Sequence, residues 1–229
     1  MKQKARAALF DFGGTIDTDG VHWSEKFWEY YQRHKLPVEK KQYEQAYLRE
    51  ERELPVRYDM SAMTFQKTLD AQFAMQFEYL GLTGKANLAK TMSAECYAEV
   101  SAIIERAKIV LNGLSARYRL GLVSNFYGNL EVVCNEFGLD TLFSVKIDSS
   151  VVGVQKPDPK IWAMGIEKLS VKPEDAFVIG DAYDRDIVPA KSLGCTTIWL
   201  KGKSWKMPKA TPAADYTIGK FEELRVILG

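Results

Sequence analysis

Four short segments, Ala7–Phe12 (AALFDF), Leu120–Ser124 (LGLVS), Ala176–Gly180 (AFVIG) and Thr196–Leu200 (TTIWL), are apolar on both faces and run into polar or glycine residues. A strand with one wet face alternates apolar and polar side chains. A strand covered on both faces does not, so these runs read as strands of a buried parallel sheet. Phe143–Ile147 (FSVKI) is a less regular fifth candidate. Helical patterns lie between the runs, near 129–137, 158–169 and 184–193, and a last short strand (Tyr216–Ile218) and helix (Phe221–Leu228) close the chain. Strand–helix–strand alternation implies right-handed crossovers and a doubly wound, Rossmann-like α/β sheet.

Residues 21–106 have a different texture. They hold no convincing strand and are rich in Glu, Lys, Gln, Ala and aromatics, with breaks at Leu36-Pro37, Leu54-Pro55 and Gly81–Gly84. The spacing predicts helices near 23–35, 39–53, 62–80 and 86–107. The expected organisation is an α/β core of residues 1–18 and 108–229 with an all-helical domain, 19–107, inserted between the first and second strands. Trp23, Phe27, Tyr30 and Tyr31 share one broad face, which core packing explains by default; a wall facing a ligand is the alternative.

The 229 residues carry 31 basic and 30 acidic side chains, a net charge of +1. That balance gives no electrostatic reason to expect nucleic acid or an anionic membrane as partner. No run of about 18 apolar residues suggests a membrane span, and the apolar stretch near the start is too short for a secretion signal and is interrupted by Asp11. Cys96, Cys134 and Cys195 lack ligand or disulfide spacing and read as reduced, buried thiols of a cytoplasmic protein. Lys201, Lys203, Lys206 and Lys209 read as a solvated loop.

In open α/β sheets ligands bind beyond the carboxyl ends of the strands. Those positions hold Asp11 with Gly13, Gly14 and Thr15, then Ser124-Asn125, then Gly180-Asp181 with Asp184 and Asp186 close behind; Lys156-Pro157 precedes a helix on the same rim. The set suits phosphoryl transfer. Asp11 can attack phosphorus. The glycines allow a tight turn with N–H groups facing phosphate oxygens. Ser124 can donate to a phosphate oxygen, Lys156 can neutralise charge and orient Asp11, and Asp11, Asp181 and Asp186 form a hard oxygen cluster suited to Mg²⁺.

The segments DFGGT (Asp11–Thr15), VSN (Val123–Asn125), QKPDPKIW (Gln155–Trp162) and IGDAYDRDI (Ile179–Ile187) resemble, in order, the four motifs of the haloacid dehalogenase superfamily. The helical insert lies where that family places its first type of cap domain. The resemblance implies Asp11 as nucleophile, with Lys156 beside it. It implies Mg²⁺ held by Asp11, the Gly13 carbonyl, Asp181 and Asp186. Thr15, Ser124, Asn125 and Lys156 would hold the phosphate or Asp11. The substrate would be a small phosphorylated metabolite, and the protein a monomer or homodimer.

One departure matters. Phosphatases of the family usually carry a general-acid aspartate two residues after the nucleophile, and here that position is Gly13. General acid–base catalysis is worth about 10²–10⁴-fold. Three readings stay open: a leaving group that needs no proton, another donor such as His22, Asp17 or a cap residue, or a phosphate-binding protein with little or no turnover. A carbon–halogen hydrolase is an alternative, since halide leaves unprotonated, though that chemistry needs no Mg²⁺. A phosphonate-cleaving enzyme would need a cap lysine, for which Lys26 is the candidate. Asp184 reads as a helix cap, Asp17 and Asp19 as a solvated turn, His34 as a surface residue and His22 as structural.

Overall fold

A computed structural model describes residues 6–205 and 214–229; Lys206 and Lys209 of the expected solvated loop lie outside the described residues. Six strands, β1 (Ala7–Phe10), β2 (Arg119–Ser124), β3 (Val145–Asp148), β4 (Ala176–Gly180), β5 (Thr196–Leu200) and β6 (Tyr216–Ile218), form one sheet in the order β3-β2-β1-β4-β5-β6. Every pairing is parallel.

The two faces of the sheet are divided by strand parity. Ala8 and Phe10 of β1, with Leu120 and Leu122 of β2, join a core that includes helix α5 (Leu130–Glu136) and the terminal helix α9 (Leu224–Ile227). Ala7 and Leu9, with Val123 and Val178, pack on the other face against Ile161, Trp162 and Ile166 of α7 (Lys160–Lys168). Successive side chains of a strand point to opposite faces, so the unbroken apolar run of β1 is what two covered faces require. Between β3 and α7 lies the short α6 (Ser149–Val152), and between β4 and β5 the short α8 (Val188–Ser192). At Gly165 a Cβ would stand 2.6 Å from Leu9 Cδ2, so α7 lies directly on the sheet.

Four helices separate β1 from β2: α1 (Trp23–Arg33), α2 (Lys40–Arg57), α3 (Phe65–Tyr79) and α4 (Ala86–Ser115). Two boundaries differ from the sequence expectation. Pro55 does not end α2, which runs on to Arg57; a proline this near the end removes one helical hydrogen bond and the helix has only two residues left to carry. Helix α4 continues eight residues beyond 107, to Ser115, as a 30-residue rod, about 45 Å long at 1.5 Å per residue. Its first half, with Ala89, Met92 and Cys96, packs among the helices, and its second half, with Val110, Leu111 and Leu114, belongs to the same core as Ala8 and Phe10 of the sheet. The three cysteines are buried and unpaired with one another, as expected. No described helix is long and apolar enough to cross a membrane.

Candidate active site

The backbone of β1 continues its ladder for one residue, Asp11 N–H donating to Ile179 O at 2.9 Å. The chain then turns sharply: Thr15 and Ile16 N–H groups donate to Phe12 O at 3.1 and 2.9 Å. Gly14 sits at φ +94°, where a Cβ would stand 2.5 Å from the Asp181 carboxylate. Only glycine meets both demands, since it tolerates positive φ and leaves the room. The turn therefore sets the Asp11 and Asp181 carboxylates side by side across β1 and β4.

Beyond β4 the chain makes a widened turn over Tyr183–Ile187, closed by a bond from Val188 N–H to Tyr183 O. Such one-turn widenings collect at functional sites. Here the turn separates two acids that lie two residues apart. Asp186 points inward, 1 % exposed, and accepts from Ala182 N–H at 3.0 Å, while Asp184 is exposed. Asp11, Asp181 and Asp186 each bring a carboxylate oxygen within 4.8 Å of the other two.

Lys156 is the cation at the centre. The residue is 4 % exposed, and its ammonium lies 2.5 Å from Asp11 Oδ1 and 2.8 Å from Asp186 Oδ1, and 4.7 Å from the Trp162 ring centroid. The Asp186 oxygen is close enough for an ion pair, yet it lies outside hydrogen-bond geometry and is a buried oxygen without a hydrogen-bond donor. Burial disfavours the Lys156 ammonium, but the charges of Asp11 and Asp186 more than offset this and hold its pKa above the ordinary value. Asn125 fixes the backbone of Lys156 from both sides, accepting from Lys156 N–H at 2.8 Å and donating to Lys156 O at 3.1 Å. Its amide is thus engaged in placing the lysine.

Two hydroxyls complete the rim. Ser124 Oγ lies 3.5 Å from Asp11 Oδ1. Thr15 Oγ1 accepts from Asp181 N–H at 3.1 Å and stands 3.2 Å from both Asp11 Oδ2 and Asp181 Oδ1.

The electrostatics of the cluster suit a divalent cation. Burial, then the charges of Asp11 and Asp186, drive the Asp181 carboxyl well above its usual range. Asp186 is raised to about 6, mainly by burial and despite Lys156. Three carboxylates share one ammonium, and a buried oxygen of Asp186 lacks a hydrogen-bond donor. A hard cation taking carboxylate oxygens would relieve both conditions.

The Trp23 indole borders position 13. A Cβ built on Gly13 would meet Trp23 Cδ1 at 3.5 Å and Nε1 at 3.6 Å. The indole N–H donates to Asp17 Oδ2 at 2.8 Å, and Gly14 N–H donates to Asp17 Oδ1 at 2.7 Å. Asp17 is therefore no solvated turn residue. It is fully buried, and burial pushes its carboxyl up to about 7 against these hydrogen bonds. Asp17 reads as polar in the sequence, but its donors are all local and it braces the loop from within. Asp19 is half-buried at φ +52° and accepts from Phe221 N–H at 2.7 Å, which ties the loop to the C-terminal segment.

Of the proton donors considered from sequence, Asp17 and His22 are both engaged. Asp17 is occupied as described. His22 precedes α1, with Nδ1 2.8 Å from Ser24 Oγ and Nε2 3.0 Å from Arg185 Nη2. His34 is partly buried, with Nε2 2.8 Å from Glu95. Lys26 is buried in the helical layer with its ammonium 2.5 Å from Glu99, an ordinary helix-to-helix ion pair.

A cavity of about 390 Å³ opens at Gly13 and is walled by α1, α2, α3, the loop after β2 and the segment after β5. Trp23, Tyr47, Phe65, Phe126, Tyr127 and Trp205 make its aromatic lining, and Glu51, Arg52 and Arg185 its charged one. Of the aromatic face expected on α1, Phe27, Tyr30 and Tyr31 are core and Trp23 is wall. Glu51 was not legible as a site residue: it sits in a run of charged residues on α2, and nothing local marks it as facing a cavity.

A family model described as haloacid dehalogenase-like hydrolase matches residues 5–194. The chain is 37 % identical over 92 residues to a glyceraldehyde 3-phosphate phosphatase of Pyrococcus furiosus, a match covering 39 % of this chain and 38 % of that relative. It is 28 % identical over 177 residues to the pyrimidine 5'-nucleotidase YjjG of Escherichia coli, covering 76 % of each. In fold it is similar to the hydrolase YfnB of Bacillus subtilis, solved bound to magnesium, with TM-score 0.61, 21 % identity and coverage of 99 % of this chain and 100 % of that one. A dehalogenase solved as an intermediate complex aligns with TM-score 0.65 at 17 % identity, covering 100 % and 99 %.

Proposed function

The chain belongs to the haloacid dehalogenase-like hydrolases, and within that family we propose that it is a Mg²⁺-dependent phosphomonoester hydrolase working through an aspartyl phosphate on Asp11. The observation that carries this reading is the Asp11 carboxylate itself. It is buried, held by the Lys156 ammonium at 2.5 Å, flanked by the Ser124 and Thr15 hydroxyls, and grouped with Asp181 and Asp186. Helices α1 to α3, within a cap of residues 19–107, stand over a core of residues 1–18 and 108–229 and shield the site from water.

Asp11, Asp181, Asp186 and the Gly13 carbonyl would hold the Mg²⁺, which when bound offsets the repulsion between anionic phosphate and anionic carboxylate. Lys156 orients Asp11 and balances the charge that builds on the phosphoryl oxygens. An oxygen of Asp11 attacks phosphorus, and the P–O bond to the leaving alcohol breaks. Water then attacks the resulting acyl phosphate, releasing inorganic phosphate and returning the carboxylate. The leaving oxygen takes its proton from solvent or from the substrate, since Gly13 has no side chain to supply one. Substrates with good leaving groups should therefore react fastest.

The test compares p-nitrophenyl phosphate and acetyl phosphate with Mg²⁺ and with EDTA. Mg²⁺-dependent phosphate release is expected, and Asp11→Asn should lower it on the order of 10⁴-fold or more, as loss of a nucleophile does in other covalent mechanisms. Wild-type-like turnover by that variant would refute the mechanism. The glycine at 13 also suits a carbon–halogen hydrolase; chloride release from a 2-haloacid in EDTA would favour that reading, and saturable Mg²⁺-dependent binding of phosphate without any turnover would mark a non-catalytic one.

A further inference from the structure

The cavity at Gly13 is larger than any reacting group needs. At about 390 Å³ it falls in the range that encloses a whole ligand of drug-like size. A three-carbon alcohol would leave most of it to water, each molecule taking about 30 Å³.

Its lining has an aromatic part, built from six rings, and a polar part that includes Glu51, Gln72 and Arg185. Trp23 meets Phe65 at 5.8 Å between ring centroids, Tyr47 meets Trp205 at 5.5 Å with planes at 81°, and Phe126 meets Tyr127 at 5.6 Å. Interlocked rings have few rotamers and hold flat walls. Four of the six, Trp23, Phe126, Tyr127 and Trp205, are only half-buried although packed against rings, so they present apolar area to the cavity. A hydroxyl or ammonium group placed against these rings would be buried on carbon, which is costly without partners, whereas a flat apolar ring would not.

Among the described residues the one carboxylate of the lining is Glu51, and the Arg185 charge acts on it. Glu51 is half-buried, and its Oε1 accepts from Tyr127 OH at 2.5 Å. Tyr127 OH in turn accepts from Gln72 Nε2 at 3.3 Å, so the carboxylate is fixed from behind. Among the described residues no donor reaches Glu51 Oε2. Burial raises the Glu51 carboxyl while the Tyr127 hydrogen bond and the Arg185 charge oppose this, and a ligand donor at Oε2 would favour the carboxylate in the same way.

We infer that the substrate's leaving group carries a heteroaromatic ring, seated among Trp23, Tyr47, Phe65 and Trp205, with an N–H or amino edge donating to Glu51 Oε2. The phosphohydrolase reading underlies the reaction in this inference; the cavity alone underlies the ring.

The experiment pairs two primary-alkyl monophosphates with leaving groups of similar difficulty, cytidine 5'-monophosphate and glycerol 3-phosphate. The ratio of their kcat/KM values isolates recognition from chemistry. The full-length protein with Mg²⁺ should prefer the ring-bearing ester at least tenfold. Glu51→Gln should cut that ratio at least fivefold, since Tyr127 would hold the amide oxygen and the amide NH₂ would face the ring's donor edge. Trp205→Ala should cut it as well, and serves if the first variant does not fold. Equal rates, or a preference for glycerol 3-phosphate, would overturn the inference while leaving the phosphohydrolase reading intact. If neither ester nor acetyl phosphate is hydrolysed, that reading fails, and quenching of tryptophan fluorescence decides the ring: saturable quenching by cytidine but not by ribose upholds it, and its absence overturns it.

Discussion

At the rim of the sheet every candidate reactive side chain leaves the backbone within a few residues of a strand end or helix start, and strand pairing, short local turns and the Asn125 clasp on Lys156 bring them together. The cavity above the rim is assembled differently. Trp23, Tyr47, Glu51, Phe65, Tyr127 and Trp205 come from five separate stretches of chain and meet only because α1, α2 and α3 pack as they do. The first kind of site is dictated by local sequence and one sheet topology. The second depends on side-chain packing between helices, which tolerates many residue choices. The contrast predicts that substitutions at the rim alter charge balance and stability, whereas substitutions in the wall alter which molecule is accepted.

The largest expected effect on the fold is at Lys156. Its ammonium stands between two buried carboxylates, Asp11 and Asp186. Removing one partner of a buried ion pair costs about 3–5 kcal/mol, because the remaining charge is left unpaired. Lys156→Met should lower unfolding free energy in urea by that order when EDTA is present. Saturating Mg²⁺ should return part of the loss, since a ligand that binds only the folded state stabilises it. A variant as stable as wild type in EDTA would show that the rim is not a charge-balanced unit and would erase its contrast with the wall.

How far each region could be read from sequence follows the same division. The strands at 120–124, 176–180, 196–200 and 216–218 and the rim residues Asp11, Thr15, Ser124, Asp181 and Asp186 were legible because apolar runs end where polar residues begin, and Lys156 from its place before a helix within a recognisable motif. The insert's helices were legible from their breaks, but the continuation of α4 to Ser115 was not: Val110, Leu111 and Leu114 bind the rod to the sheet, a contact that periodicity does not reveal. Asp17 was misread for a related reason. A short polar residue beside Thr18 and Gly20 looks solvated, and only the fold brings the Trp23 indole over it.

Asp17 gives the next effect, a pH dependence. Its carboxyl is held at about 7 in the folded protein, against 3.8 without the fold. The folded state thus binds the proton more tightly, so the group favours folding at low pH and loses that contribution as pH rises from about 4 through 7. A full shift of this size corresponds to a few kcal/mol. Unfolding free energy of the wild type should fall across that window, and Asp17→Asn, which does not titrate, should fall less by on the order of 2–4 kcal/mol. Parallel profiles for the two proteins would mean that Asp17 is ionised throughout, and that the brace beneath Trp23 is a charge rather than a neutral hydrogen-bonding group.

The smallest effect is expected at Asp184, and it sharpens the comparison most cleanly because it lies in the same turn as Asp186. Both are aspartates after β4, both are acids close to the same motif, and sequence spacing alone places either near a cation. The widened turn at Tyr183–Ile187 directs Asp186 inward, 1 % exposed and 2.8 Å from Lys156, and leaves Asp184 in solvent. An exposed carboxylate screened by water contributes little, and surface substitutions of this kind fall within about 0.5 kcal/mol. Asp184→Asn should therefore leave both urea stability and the Mg²⁺ concentration at half-maximal activity unchanged, while Asp186→Asn should raise the Mg²⁺ requirement. If Asp184→Asn raised it equally, the turn would have to present both acids to the cation, and the inward–outward division made by its geometry would be wrong.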